Sequence, residues 1–374
     1  MAIRLRSNEE VLAVLDGALP ELPQLLEAAR GAPLYVVGGT VRDLFLGRGR
    51  TDLDVIVEGD AAEVARRLGG QVVEHPRFAT AKATVGGIEV DLAGARAESY
   101  ERPGALPEVW PATIEEDLAR RDFTVNAMAI PLGGERDLVD PRGGRDDLAG
   151  GLLRVLHPGS FVDDPTRALR AARYAARFDL EPEPETLLLL GEADLENVSA
   201  DRRRAELLRV CAEPAAPVAI GLLGEWGVLS VAPEAPGLCE QAAELLAAPP
   251  WSGVAAREEV LLAALEGPGE AAARLAAAKP GAPSDSVELA AGASPVELVL
   301  ARVLGGAWLD RYAAELRDVV PDIDGEDLIA AGVPEGPAVG RGLRAALRAK
   351  LDGEAADREG QLRIALSAAR EERS

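Results

Sequence analysis

The stretch LYVVGGTVRDLFLG at residues 34–47, followed by DLDVIVEG at residues 52–59, decides the fold. Its opening is a short apolar run that ends in the paired glycines Gly38 and Gly39. VRDLFLG then reads as helix, and DLDVIVEG reads as a strand with Asp52 and Asp54 at its entrance. Further on, TAKATVGGIEVDLAGAR at residues 80–96 adds two strands around the hairpin signal Gly86-Gly87. Strands interleaved with helices predict a mixed α/β module. Upstream, residues 1 to about 30 carry an amphipathic helical pattern on Val11, Leu12, Val14, Leu15, Leu19 and Leu22, interrupted by Pro20 and Pro23.

Downstream the period changes. From about residue 151 strand signals almost vanish, and Leu, Ala, Arg and Glu recur at helical spacing between breaks such as EPEPE, EPAAP, APP and KPGAPSD. The predicted fold class is therefore α+β, a sheet-bearing N-terminal part followed by helices. The Ala/Gly/Pro-rich stretch near residues 266–295 is expected to be a loop or linker, and no fixed-period repeat is visible.

At 374 residues the chain is too long for one compact core, so several modules are expected. No segment approaches the roughly 20 apolar residues of a membrane span, and the charged start lacks a signal-peptide run, which places the protein in the cytoplasm with no membrane partner. The two cysteines, Cys211 and Cys239, form no CxxC or Cys/His grouping, and His75 and His157 are the only histidines. That leaves no material for His-based triads or zinc sites, so any metal must be held by carboxylates. The formal charge of −23 argues at first against nucleic acid, yet apart from Lys82, Lys279 and Lys350 every basic residue is Arg. Arg makes planar bidentate contacts to phosphates and base edges, although a composition that replaces lysine generally would look the same.

Three constellations carry chemistry. In the first, glycines after a strand let backbone amides approach phosphate, with Arg42 one turn inside the following helix. Alternation along DLD points Asp52 and Asp54 to one face, where paired carboxylates suit Mg²⁺. Asp91, on a later strand, is either a third carboxylate that deprotonates an attacking hydroxyl or an ordinary strand-end aspartate. The second is RRDFTVNAMAI at residues 120–130. Arg120 and Arg121 beside Asp122 can clamp a triphosphate and a ribose hydroxyl, while local capping alone also accounts for Asp122 and Asn126. The third is DDPTRALRAARYAARF at residues 163–178, which opens as helices do and then repeats Arg167, Arg170, Arg173 and Arg177 on one face with no acid between them. Asp164 and Arg167, a turn apart, can present an acceptor and donors to the edge of a base, and so choose a nucleotide without a template.

With these residues in place the chain resembles the class II tRNA nucleotidyltransferase and bacterial poly(A) polymerase family, over roughly residues 30–235. GGTVRD with DLD resembles its first motif, ARRDFTVNAMA its second, and the Arg-striped helix its nucleotide-selecting element; VSADRRRAELLRV and AIGLLGEWGVLSVAPE are similar to the helical part that follows. The resemblance implies a polymerase β-like head with a mixed sheet at residues 1–150, then an all-helical neck at 151–212, body at 213–290 and RNA-binding tail at 291–374. It implies that Gly38, Gly39 and Arg42 hold the triphosphate, that Asp52 and Asp54 bind catalytic Mg²⁺, and that Arg121, Asp122 and Asn126 contact the incoming nucleotide. Asp164 and Arg167 would read the base of CTP or ATP, supported by Arg170 and Arg173. One departure is Asp163-Asp164 where the family has Glu-Asp, which keeps the charge.

The implied reaction is template-independent addition of C and A to the 3′ end of tRNA or another RNA, completing CCA. Rivals within the family are a poly(A) polymerase and partial CC- or A-adding enzymes; SYERPGALPEVWPATIEED at residues 99–117, Pro-rich and poor in regular signals, sits where the family has a mobile loop used in switching from C to A. Outside it stand a noncatalytic RNA-binding protein on a degenerate head and a small-molecule nucleotidylating enzyme. Too few histidines remain for an added phosphohydrolase module of HD type. In the tail, Arg341, Arg344, Arg348 and Lys350 on one helix are candidate RNA contacts, or else a solvated face.

Overall fold

The structure, a computed structural model, describes residues 3–48, 52–69, 71–75, 78–85 and 88–370. The Gly86-Gly87 turn lies outside them. The chain divides into two compact units, Met1–Ser230 and Val231–Ser374.

In the first unit, α1 (Asn8–Ala18) starts at Ser7, whose hydroxyl and the Glu10 carboxylate cap one another's backbone, and α2 (Leu22–Ala29) follows. Then come β1 (Leu34–Val37), α3 (Gly39–Phe45), β2 (Asp52–Val57), α4 (Ala61–Arg67), β3 (Gln71–His75), β4 (Phe78–Val85) and β5 (Ile88–Gly94). A two-stranded ribbon, β6 (Arg96–Ser99) and β7 (Glu108–Pro111), leads to α5 (Ile114–Ala119) and β8 (Ala129–Pro131). The main sheet has the order β3-β4-β5-β2-β1-β8, with β2 and β5 parallel and its other pairs antiparallel. The expected mixed sheet is thus present. The run of Leu53, Val55, Ile56 and Val57 is buried because β2 is an interior strand flanked by β1 and β5. Ile56, Val37, Ile114, Leu118, Ala127 and Ala129 form one core cluster, which fixes α5 and the stretch after it against the sheet.

The Pro-rich segment at 99–117 is more regular than its composition predicts. Its first residue, Ser99, closes β6, and its middle, Glu108–Pro111, pairs back on β6 as β7, with Pro111 at the last ladder position, where a missing N–H is tolerated; Thr113 and Glu116 then cap α5 reciprocally.

After α6 (Gly144–Gly150) and the short β9 (Leu152–Leu153), the first unit continues with α7 (Ser160–Asp163), α8 (Thr166–Phe178), β10 (Glu181–Pro182), α9 (Pro184–Leu190), α10 (Ala200–Ala212) and α11 (Ala216–Glu225). The parallel pair β9–β10 is a small exception to the all-helical expectation after residue 151. Helix α8 buries Ala168, Leu169, Ala171, Ala172, Ala175 and Phe178 and packs on α10 and α11. Edge-to-face contact between Phe123 and Tyr174, 5.9 Å between centroids, ties α8 to the segment before β8.

The second unit is helical among the described residues: α12 (Ala235–Leu246), α13 (Arg257–Glu266), α14 (Gly269–Ala277), α15 (Pro283–Ala290), α16 (Pro295–Val303), α17 (Trp308–Arg311), a π turn at Tyr312–Leu316, α18 (Gly325–Ala330), α19 (Pro337–Leu351) and α20 (Arg358–Arg370). Residues 266–295 are therefore not a linker but carry α14 and α15. Of the prolines and glycines that suggested a loop, Pro268 and Gly269 open one helix and Pro283 the other, while alanines, the best helix formers, fill α14. Helices α19 and α20 pack around Ala346, Ala365 and Ala369; a Cβ on Gly342 would come within 2.9 Å of the Ala365 carbonyl, so a side chain there would push the pair apart.

Candidate active site

Strand pairing sets the carboxylates. Asp54 on β2 lies directly opposite Asp91 on β5, and Asp91 opposite Lys82 on β4, so the three share one sheet face. The Lys82 ammonium is 3.0 Å from Asp91 Oδ1. Thr40, in the first turn of α3, donates its hydroxyl to Asp54 Oδ2 at 3.0 Å, which stitches the glycine turn to the acidic strand. Asp52 opens β2 opposite Glu89; its side chain lies outside the described residues.

The glycine pair works partly by sterics. Gly38 has φ +63° and spends its N–H on the Met128 carbonyl at 2.9 Å, so that amide is already engaged within the protein. A Cβ there would stand 2.3 Å from Arg121 Nη1, so Gly38 makes the room that Arg121 occupies. Gly39 lines the cavity described below.

Arg120 and Arg121 both bind Asp117, which is fully buried: Arg120 Nη2 at 2.7 Å on one oxygen and Arg121 Nη2 at 2.9 Å on the other. Burial pushes the Asp117 carboxyl up, but the two guanidiniums outweigh it and hold it below the usual aspartate value. Asp122 is likewise buried: burial raises it, and the Arg170 charge and bonds from Asn126 and the Phe123 amide bring it below its ordinary value. Asn126 also accepts from Arg42, whose guanidinium binds Asp43 and lies over the Phe178 ring, 4.0 Å from its centroid. Asp122 and Asn126 thus link Arg170, Arg42 and the Phe123 amide in one network.

On α8, Arg170 closes on Asp122 at 2.6 Å, Arg173 faces Glu206 and Glu213, and Arg177 reaches Glu213 at 3.4 Å. The acids absent from the helix itself come from other elements. Arg167 is buried and donates to Ser160 Oγ at 2.8 Å and to the Arg120 carbonyl at 2.9 Å, with Glu98 and the Tyr100 hydroxyl each at 3.4 Å. Burial and the neighbouring Glu98 keep the Tyr100 phenol protonated well above its ordinary range. Asp164 accepts from the Thr166 amide and hydroxyl and, at 3.3 Å, from Arg202 on α10.

A cavity of about 400 Å³ gathers Gly39, Arg42, Asp54, Arg121, Asp122, Asn126, Asp164, Arg167, Arg170 and Arg173. A second, of about 480 Å³, shares Asp54 and Arg121 with it and adds Asp91 and Lys82. Of the residues expected at the site, Gly38 lies behind the first cavity and Asp91 in the second. Sequence reasoning missed Asp117, whose spacing of three and four from the two arginines was a usable signal, and Glu98, Glu206 and Glu213, for which sequence offers none. Among the tail candidates, Lys350 pairs with Asp322 at 2.6 Å, Arg348 faces Asp285, Glu288 and Asp352, and Arg341 donates to the Ala369 carbonyl. Arg344 is exposed. No described helix is long and apolar enough to cross a membrane.

Residues 34–154 match the family model for the poly A polymerase head domain. An A-adding tRNA nucleotidyltransferase of Halalkalibacterium halodurans is 47% identical over 48% of this chain, and the match spans only 45% of that relative's length. A CC-adding tRNA nucleotidyltransferase of Deinococcus radiodurans is 36% identical over 83% of this chain and 82% of its own. Among solved structures, a CCA-adding enzyme in an apo form superposes with a TM-score of 0.81 at 30% identity, covering 98% of this chain and 100% of that one.

Proposed function

The chain belongs to the tRNA nucleotidyltransferase family that carries the poly A polymerase head domain, and from that premise we propose that it adds C and A from CTP and ATP to the 3′ end of tRNA, completing or repairing CCA without a template. One observation carries the reading: an arginine-lined cavity meets the carboxylate row of the sheet at Asp54, while Asp164 and Arg167 stand at its wall. In this reading residues 1–150 are the catalytic head, 151–212 the neck, 213–290 the body and 291–374 the RNA-binding tail.

Arg42, Arg121, Arg170 and Arg173 hold the triphosphate, and Asp122 and Asn126 keep Arg170 and Arg42 aimed at it. Asp164 and Arg167 present an acceptor and donors to the base, already oriented by Thr166, Arg202 and Ser160. The RNA 3′-hydroxyl attacks the α-phosphorus, its proton passes to Asp91, the bond to the β-phosphate oxygen breaks, and pyrophosphate leaves. Asp52 and Asp54 would hold a divalent cation, Mg²⁺ in this reading. The carboxylate oxygens are hard donors of the kind such an ion prefers, with phosphate oxygens and water completing its shell. When bound, it neutralises the charge that develops on the attacking and leaving oxygens.

A second reading, CC addition alone, is favoured by the Deinococcus relative's length of match; poly(A) synthesis and a noncatalytic RNA-binding role stand further off. The deciding experiment supplies Mg²⁺ and tRNA transcripts ending before CCA, after C and after CC, with CTP and ATP singly and together, and reads product lengths. Stepwise growth that stops at CCA is expected, and Asp54→Ala should reduce it by about 10³-fold or more, several kcal/mol of lost charge stabilisation. Arrest at CC assigns the partial enzyme, long A tracts a poly(A) polymerase, and no extension removes catalysis from the reading.

A further inference from the structure

We infer that the second cavity seats the terminal nucleotide of the RNA strand and that Lys82 binds a backbone phosphate of that strand; the inference rests on the transferase reading above. Strand register places Lys82, Asp91 and Asp54 in one row across the sheet, and Thr80, Ala93 and Ile56 in the row beside it. The second row is low at Ala93, which ends in a methyl, and at Thr80, which is short and exposed, while Ile56 at its far end is covered by the core cluster under α5. A low row leaves a shelf about 480 Å³ in volume above it, within the range of roughly 300–1,000 Å³ typical of small-ligand pockets.

Two cavities that meet at one carboxylate are what joining two nucleotides requires. One must hold the phosphorus under attack and the other the attacking hydroxyl, within reach of the same group. Their linings separate the roles. Among the described residues the first carries seven arginines, suited to a triphosphate; the second carries Lys82 and Arg121 as cations, against Asp54 and Asp91, suited to a strand with one charge per nucleotide. Lys82 is the sole lysine of the first 278 residues, in a chain whose other cations there are arginines. Its side chain is 60% exposed. A flexible point charge, unlike a planar fork, can follow a strand end that advances by a nucleotide after each addition. Before RNA arrives, its ammonium lies 3.0 Å from Asp91. A phosphate that draws the ammonium away leaves Asp91 facing the 3′-hydroxyl.

The test uses the full chain, ATP and a tRNA transcript ending in CC, with wild type, Lys82→Ala and Lys82→Arg compared after thermal melts confirm folding. Lys82→Ala should raise the KM for RNA about tenfold, the order expected for one charge-assisted contact, and leave the KM for ATP within about twofold. The salt slope of RNA binding should become shallower by about 0.7, one single-strand phosphate contact, and Lys82→Arg should restore most of both. If Lys82→Ala does not fold, Lys82→Gln, which keeps the stem, carries the same comparison. Unchanged RNA KM and salt slope, or an effect that falls on ATP instead, overturns the assignment while the transferase reading stands. A wild-type protein that extends no RNA end overturns that reading itself.

Discussion

Arg170 and Asp122, 48 residues apart in the chain, close a 2.6 Å ion pair that joins the Arg-striped helix to the segment RRDFTVN. The aspartate is buried and the arginine side chain one-third exposed, so removing either leaves the other in a different predicament. Arg170→Ala strands a buried carboxylate and should destabilise the first unit by about 1–3 kcal/mol. Asp122→Asn should lose less, because the Phe123 amide keeps an acceptor. A double-mutant cycle by urea unfolding checks the pair, and additive losses would remove the coupling.

The same chemistry gives a pH dependence. Asp117 and Asp122 both have folded values below the ordinary aspartate value of 3.8. Each therefore contributes stability that is fully present above that value and is lost as pH falls through the lower folded one. The unfolding free energy of wild type should decline steeply below the ordinary carboxylate range. In Asp117→Asn the decline should be shallower by up to one proton's worth, about 1.4 kcal/mol per pH unit. Identical slopes would mean that other carboxylates govern acid unfolding.

Arg167→Ala should damage choice among nucleotides more than it damages RNA binding. Loss of one base-edge contact removes about 1–3 kcal/mol of discrimination, read as the ratio of kcat/KM for CTP and ATP over UTP and GTP. Lys at this position should not restore the ratio, since a single ammonium cannot serve Ser160, the Arg120 carbonyl and a base edge together. Retained selectivity in Arg167→Ala would falsify its base-reading role.

Gly38→Ala tests the steric part of the glycine turn. An alanine must adopt φ near +63° and place its Cβ 2.3 Å from Arg121 Nη1, so about 1–2 kcal/mol of backbone strain is added to displacement of the guanidinium. The expected result is a lower melting temperature together with a raised KM for nucleoside triphosphates. Gly39→Ala, in ordinary helical backbone, should melt close to wild type.

Much of this protein was legible in the sequence alone. The order strand, glycine pair, helix, DxD strand is a local pattern, and local signals decide it: a short apolar run bounded by turn residues for β2, a period of 3.6 for α8. The arginines of α8 could be placed on one face because helical geometry is the same wherever the helix lies. The hidden parts were those that depend on position within an element or on distant partners. Proline and glycine near residues 266–295 read as linker because composition does not distinguish a helix cap from a loop, and Glu108–Pro111 within the 99–117 segment is a strand only because β7 meets β6 in space. Charge balance was hidden too. No spacing rule predicts that Glu206 and Glu213 answer Arg173 and Arg177, that Asp122 answers Arg170, or that Lys82 stands beside Asp91. Sequence determined which groups this site has, through periodicities that act over a few residues; the tertiary structure decided which of them meet, because strand register and helix packing bring together residues that no local interaction links.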